Sequence, residues 1–173
     1  MQAMKKTAEQ IAAAFKTVEE CEHYIKNVKE RSPVDATRRI HSAMRRAIEI
    51  RSSKYIHDAK TPAAVELYEA LSAKEYARNA YAGRFRPTIK KYGGIVKAAD
   101  ISVSKSDAEA LEQLRRLVAL GLRDLTFEAT ILRYQNEFSA KAIEKARHNL
   151  ELVDLEGELR SAPADAEVNM GRQ

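Results

Sequence analysis

The 173-residue chain has no tryptophan, one cysteine, four prolines and six glycines. Each shortage excludes something. A lone Cys21 cannot form an internal disulfide or any metal motif built from several cysteines, and its use points to a reducing cytoplasm. So few helix breakers argue against a loop-rich or many-stranded fold. No apolar run approaches the ~18 residues of a membrane span, so none is expected. The start, Met1-Gln2-Ala3-Met4-Lys5-Lys6, runs into Glu9 and Gln10 rather than the apolar core of a secretory signal. Gly-x-x-x-x-Gly-Lys, Gly-x-Ser-x-Gly and His-x-x-x-His are all missing, which removes the phosphate loop, the nucleophile elbow and the helical zinc pair.

What remains is alanine, leucine, glutamate, lysine and arginine, with 32% charged and 6% aromatic residues. That is the composition of long helices. The length suits one domain able to bury roughly 70% of its unfolded surface. We assign a single helical bundle to residues 1–160 and a flexible C-terminal tail to 161–173.

Periodicity predicts five helices, near 7–30, 33–58, 62–82, 107–120 and 125–160. The last organises the chain. Leu125, Ala129, Leu132, Asn136, Ser139, Ile143, Ala146, Leu150, Val153 and Gly157 recur in alternating steps of four and three, a heptad seam. Phe127, Ile131, Tyr134 and Phe138 form a second stripe. A rod about 50 Å long, apolar on two faces, would be the central post of the bundle. Ile11, Ala14, Val18, Cys21, Ile25 and Val28 make a similar seam near the N-terminus, inviting the two ends to pair.

The boundaries rest on caps. Thr7-Ala8-Glu9-Gln10 and Ser106-Asp107-Ala108-Glu109 are capping boxes. Ser32-Pro33 and Thr61-Pro62 place an N-cap before proline at the first helical position. Gly83 and Gly121 suit the residue after a helix, with Leu122 packing back on Leu117, and Asp124 recaps the chain. A continuous rod from Asp107 to Arg160, tolerating Gly121, is the alternative. Residues 83–106 show no helical period. Gly93-Gly94 could turn a small hairpin between Ile89–Lys91 and Ile95–Lys97, and Ile101–Ser104 could be a short strand. The expected fold is therefore all-α: a multi-helix bundle with a long C-terminal heptad helix and one irregular basic connection.

Charge is uneven. Residues 1–106 hold 21 basic and 12 acidic side chains, and residues 107–173 hold 9 and 13. A basic half joined to an acidic half means either an anionic partner or two halves that attract each other. Arg38, Arg39, Arg45 and Arg46 share one arc of the second helix. Arg84, Arg86, Lys90 and Lys91 crowd the irregular connection, where Tyr92 offers a ring for stacking. These nine residues are the candidate nucleic-acid contacts, on the backbone of DNA or RNA. A solvated face balanced by nearby acids is the competing reading.

Chemistry is sparse. Glu20 and His23 have the Glu-x-x-His spacing of di-iron bundles, but no second pair accompanies them. Cys21 lies on the seam and reads as a buried hydrophobe. Capped helices and heptad spacings are too general to single out a family. The expectation is a non-enzymatic assembly or interaction protein, forming a homo-oligomer or pairing with a partner helix. It has no cofactor, no metal site, no membrane contact and no evident small-molecule substrate. Nucleic-acid binding through residues 31–97 is the alternative, and a metal-dependent helical-bundle enzyme the remote one.

Overall fold

The computed structural model describes residues 6–31, 33–78 and 85–161. Among them every regular element is helical, as composition predicts: α1 (Ala8–Ala13), α2 (Val18–Arg31), α3 (Ala36–Ser52), α4 (Pro62–Arg78), α5 (Arg86–Lys91), α6 (Ile95–Ser104), α7 (Ala108–Ala119), α8 (Phe127–Arg133) and α9 (Ala140–Ser161). Single 3-10 turns fall at Ile56–Asp58 and Gln135–Glu137. The expected tail and Gly83 lie outside the described residues.

The bundle is made of more and shorter helices than periodicity suggests, and local chemistry explains most of the breaks. Thr7 and Gln10 do form a capping box. A second box follows at Thr17: its hydroxyl accepts the Glu20 N–H at 3.2 Å, and the Glu20 carboxylate accepts the N–H groups of Lys16 and Thr17. The expected helix 7–30 is therefore split into α1 and α2. α2 packs on α3 rather than on the C-terminal helix. α3 starts after Asp35, three residues later than expected, and ends at Ser52 rather than near His57. Thr61 caps α4 as predicted, accepting the Ala64 N–H at 3.2 Å.

The central post is α4, not the C-terminal helix. Ala63, Ala64, Leu67, Tyr68, Ala70, Leu71, Ser72, Ala73 and Glu75 are all buried, which wraps the helix on every side. Its alanines admit close neighbours, and it contacts α3, α6, α7 and α8. The main core joins Leu67 and Leu71 of α4 to Ile95, Ala99 and Val103 of α6, Phe127 and Ile131 of α8, and Ala142 and Ala146 of α9.

The connection 83–106 is not irregular: it carries α5 and α6, and the expected hairpin and strand are absent. Gly93, at φ +77°, ends α5 in a Schellman turn. The Gly94 N–H reaches the Ile89 carbonyl at 2.9 Å, and the Gly93 N–H reaches Lys90 at 3.2 Å. Isoleucine and valine suit strands by propensity. Here Ile95, Ala98, Ala99 and Val103 instead fall on one helical face and are buried, so packing against α4 and α9 overrides propensity.

α7 starts and ends close to expectation. Asp107, rather than Ser106, supplies the cap, accepting the Ala110 N–H at 3.0 Å. Gly121 takes φ +72°, and the Leu122 N–H bonds the Leu117 carbonyl at 2.9 Å, closing the expected Schellman turn.

The long helix 125–160 does not form. Thr126 rather than Asp124 caps α8. α8 stops at Arg133, and α9 starts after Ser139, whose hydroxyl accepts the Ala142 N–H at 3.3 Å. Two tertiary contacts hold the break. Asp100 of α6 accepts both the Ser139 N–H (2.7 Å) and its hydroxyl (3.0 Å), and the Tyr134 hydroxyl donates to Glu66 of α4. The break lets α8 fold back on α9, so Phe127 and Ile131 share a core with Ala142 and Ala146. Asn136 and Ser139, expected on a seam, are exposed.

Candidate functional site

The structure divides the nine basic and aromatic candidates. The arginines of α3 all have acidic partners. Arg38 pairs with Glu9 at 2.8 Å, Arg39 with Asp35 at 2.7 Å, Arg45 with Asp124, and Arg46 with Glu49 at 2.7 Å. Arg46 also donates to the Phe15 carbonyl. These pairs leave a mark on the acids. Hydrogen bonding to Arg38 holds the Glu9 carboxyl down at about 2, and Arg39 and Arg45 lower Asp35 and Asp124 in the same way. Arg45–Asp124 and Arg78–Glu109 tie the basic half of the chain to the acidic half.

Arg86 points inward. Its Nε and Nη2 donate to Glu75 Oε1 at 3.0 and 2.8 Å, with side chains only 13% and 5% exposed. Its guanidinium lies 3.7 Å from the Tyr55 ring centroid. Arg84 lies outside the described residues. Lys90 and Lys91 are exposed, with no carboxylate within ion-pair distance among the described residues. Lys91 Nζ sits 5.4 Å from the centroid of Tyr92. The candidates therefore do not form one track: five arginines pair with acids of the same chain, and Tyr92 belongs to a different feature.

That feature is a cavity of about 480 Å³. Three helix N-termini converge on it: Thr61 and Ala64 of α4, Gly94 to Lys97 of α6, and Ser139 before α9. Two of them are finished by carboxylates from elsewhere in the fold. Asp100 holds the N–H and hydroxyl of Ser139, and Glu137 Oε2 accepts from the Thr61 hydroxyl at 3.0 Å. The third is bare. Its N-cap is Gly94, no side chain caps it, and the N–H groups of Ile95, Val96 and Lys97 have no partner among the described residues. Gly94 takes φ +146°, which strains any other residue, and a Cβ there would meet nothing within 4 Å. The space before α6 is open.

Tyr68 lines the same cavity. The residue is 7% exposed, it stacks on Tyr55, and its hydroxyl makes no hydrogen bond among the described residues. Burial, and then the charge of Asp58, raise its pKa, so it stays a neutral donor. Lys60 and Lys97 bring positive charge to the wall, and Asp58, Asp100 and Glu137 negative charge. Tyr92, Ile95 and Val96 complete an apolar flank.

Other groups carry less. Glu128 of α8 is buried with one carboxylate oxygen lacking a hydrogen-bond partner. Lys74, whose pKa burial lowers and Glu128 raises, stands 3.8 Å over the Phe127 ring. Neither lines the cavity. Glu20 is occupied as a helix cap, and no group of three His, Cys, Asp or Glu side chains fit for a metal occurs among the described residues. Cys21 is fully buried, and burial raises its thiol pKa. No described helix is long and apolar enough to cross a membrane.

Of the cavity's residues, Tyr92 alone was a candidate from sequence. The available signal was Gly93-Gly94 directly before an apolar helical face; without the α5–α6 reading it passes for a hairpin turn. No protein-family model matches this chain, and no curated protein and no solved structure matches it either.

Proposed function

We propose that this protein binds a small molecule in the cavity between the N-termini of α4, α6 and α9. The observation that carries the reading is the cavity itself. At about 480 Å³ it lies within the range of small-molecule sites. Its wall joins an apolar flank of Ala64, Tyr68, Tyr92, Ile95 and Val96 to charged and polar groups, several of them fixed by the fold, a mixture that can bind and orient a ligand.

The two readings drawn from sequence have less to rest on. Assembly rested on surplus apolar surface. Ala129, Ala146, Leu150 and Val153 of the seam are buried within the chain, as are Phe127 and Ile131 of the stripe. Among the described residues only Val34, Leu120 and Leu155 remain as large exposed hydrophobics. Nucleic-acid binding rested on clustered arginines and lysines; the arginines that are described are ion-paired, which leaves Lys90 and Lys91.

The test is a backbone-amide NMR screen of the full chain against a library of small polar metabolites. Hits should move Tyr92, Gly94, Ile95 and Ser139 together and vanish in Val96→Trp, which fills the cavity from its half-buried wall. Absence of any hit, or hits indifferent to that substitution, would refute the proposal.

A further inference from the structure

We infer that the protein has a second binding site, separate from the cavity at α6: the cleft between α1, α3 and α4 takes a small organic ammonium ion, held on Glu69. The cleft measures about 320 Å³, at the small end of ligand sites. Ala12 and Ala13 of α1, Ile48 of α3 and Leu125 before α8 give it an apolar lining. Glu9, Arg45, Arg46, Glu49 and Glu69 bring charge to it.

Those charges do not balance. Glu9 pairs with Arg38, Glu49 with Arg46, and Arg45 with Asp124. Beside the cleft, Glu66 pairs with Arg133. Four arginines therefore match four acids one to one. Glu69 is the fifth acid, half-buried, with no ion pair or hydrogen bond among the described residues. Helix ends leave the balance as it is. The C-terminus of α1, at Ala12 and Ala13, and the N-terminus of α8, just beyond Leu125, bring partial charges of opposite sign.

The local field agrees. Burial raises the Glu69 pKa first, then Glu66 and Glu49, against smaller opposing effects of Arg133 and Arg45. A proton is held more tightly there than on an ordinary glutamate, and an ammonium group meets the same potential. One unmatched carboxylate does not hold a metal, and no group of three His, Cys, Asp or Glu side chains fit for one occurs among the described residues. An ammonium group on an apolar body uses the whole cleft. Its N–H groups donate to Glu69, and its body lies against Ala12, Ala13, Ile48 and Leu125.

The test titrates the full chain near neutral pH and at constant ionic strength with butylammonium and benzylammonium, each beside the neutral alcohol of the same shape. Backbone amides of Ala12, Ala13, Glu69 and Leu125 should shift together, whether or not those around Gly94 respond, so this site stands or falls apart from the cavity at α6. Each ammonium ion should bind roughly tenfold tighter than its alcohol, the value of a hydrogen bond between charged groups. Glu69→Gln relieves repulsion from Glu66 and Glu49, so it should keep or raise the melting temperature and abolish the preference for ammonium over alcohol. In the wild type, a carbon-detected NMR titration of the Glu69 carboxyl should show its pKa falling when benzylammonium binds, which a glutamate outside the site would not do. No binding of either ammonium ion, alcohols binding as well, a preference that survives Glu69→Gln, or a Glu69 pKa unmoved by saturating benzylammonium would overturn the inference.

Discussion

Removing the Arg86 guanidinium should destabilise the fold severely. Glu75 is buried at 5% exposure on the central helix, and both donors that reach its Oε1 from Arg86 lie within 3.0 Å. Arg86→Ala removes both of these donors from a buried carboxylate, and breaking a buried pair from one side typically costs about 3–5 kcal/mol. The Arg86–Tyr55 contact at 3.7 Å is lost as well. For a chain of this size each kcal/mol is worth about 2–4 °C, so the melting temperature should fall by about 6–20 °C. The double variant Glu75→Leu/Arg86→Met removes both charges while retaining much of the volume, and should recover most of the loss. Urea unfolding of the wild type, Glu75→Leu, Arg86→Met and the double variant closes the cycle. A coupling of at least about 2 kcal/mol is expected, with the slope of unfolding unchanged. An Arg86→Ala cost below about 1 kcal/mol, or additive single losses, would refute the claim that this arginine is structural.

Gly121→Ala should cost about 1–2 kcal/mol in a thermal melt, because φ is +72° and its Cβ would come within 3.0 Å of His41 Nε2, which donates to the Gly121 carbonyl. The Glu9 pKa is depressed to about 2, so the stability from its pair with Arg38 is present above about 4.5 and is lost as pH falls through about 2. The melting temperatures of wild type and Glu9→Gln should therefore converge on acidification, and a gap independent of pH would contradict the pairing. Arg38→Ala/Arg45→Ala should leave the salt dependence of any nucleic-acid binding unchanged, whereas phosphate contacts would make the log–log slope shallower by about 2. Cys21 should react with a thiol reagent only as fast as the chain opens, and rapid labelling in the native state would show that it is accessible.

Much of the fold was legible because it is written in short-range chemistry. Thr7, Thr61 and the Gly121–Leu122 turn do what their types and spacing require, and the scarcity of breakers gives an all-helical chain. Thr17 was equally readable as an N-cap, with glutamate three residues on. It was overridden by a heptad count that ran through it. The candidate site was far less legible. Lys60, Tyr68, Gly94, Lys97 and Ser139 span about eighty positions, and nothing local marks them as neighbours.

The sequence by itself determined where helices can start, which faces are apolar, and that the basic and acidic halves can attract. Those properties depend on residues within a turn or two of each other, so spacing reveals them. Only the tertiary structure decided that the rod 125–160 is broken. The stretch Tyr134 to Ser139 has no glycine or proline; the break is held by Asp100 on Ser139 and Glu66 on Tyr134, across 39 and 68 positions. Only the tertiary structure spent the arginines of α3 on distant and nearby acids, made α4 the buried post, and left one of three converging helix ends uncapped. A periodic pattern records which side of a helix is buried, but not which helix end will meet which carboxylate, because that pairing is settled when the whole core closes.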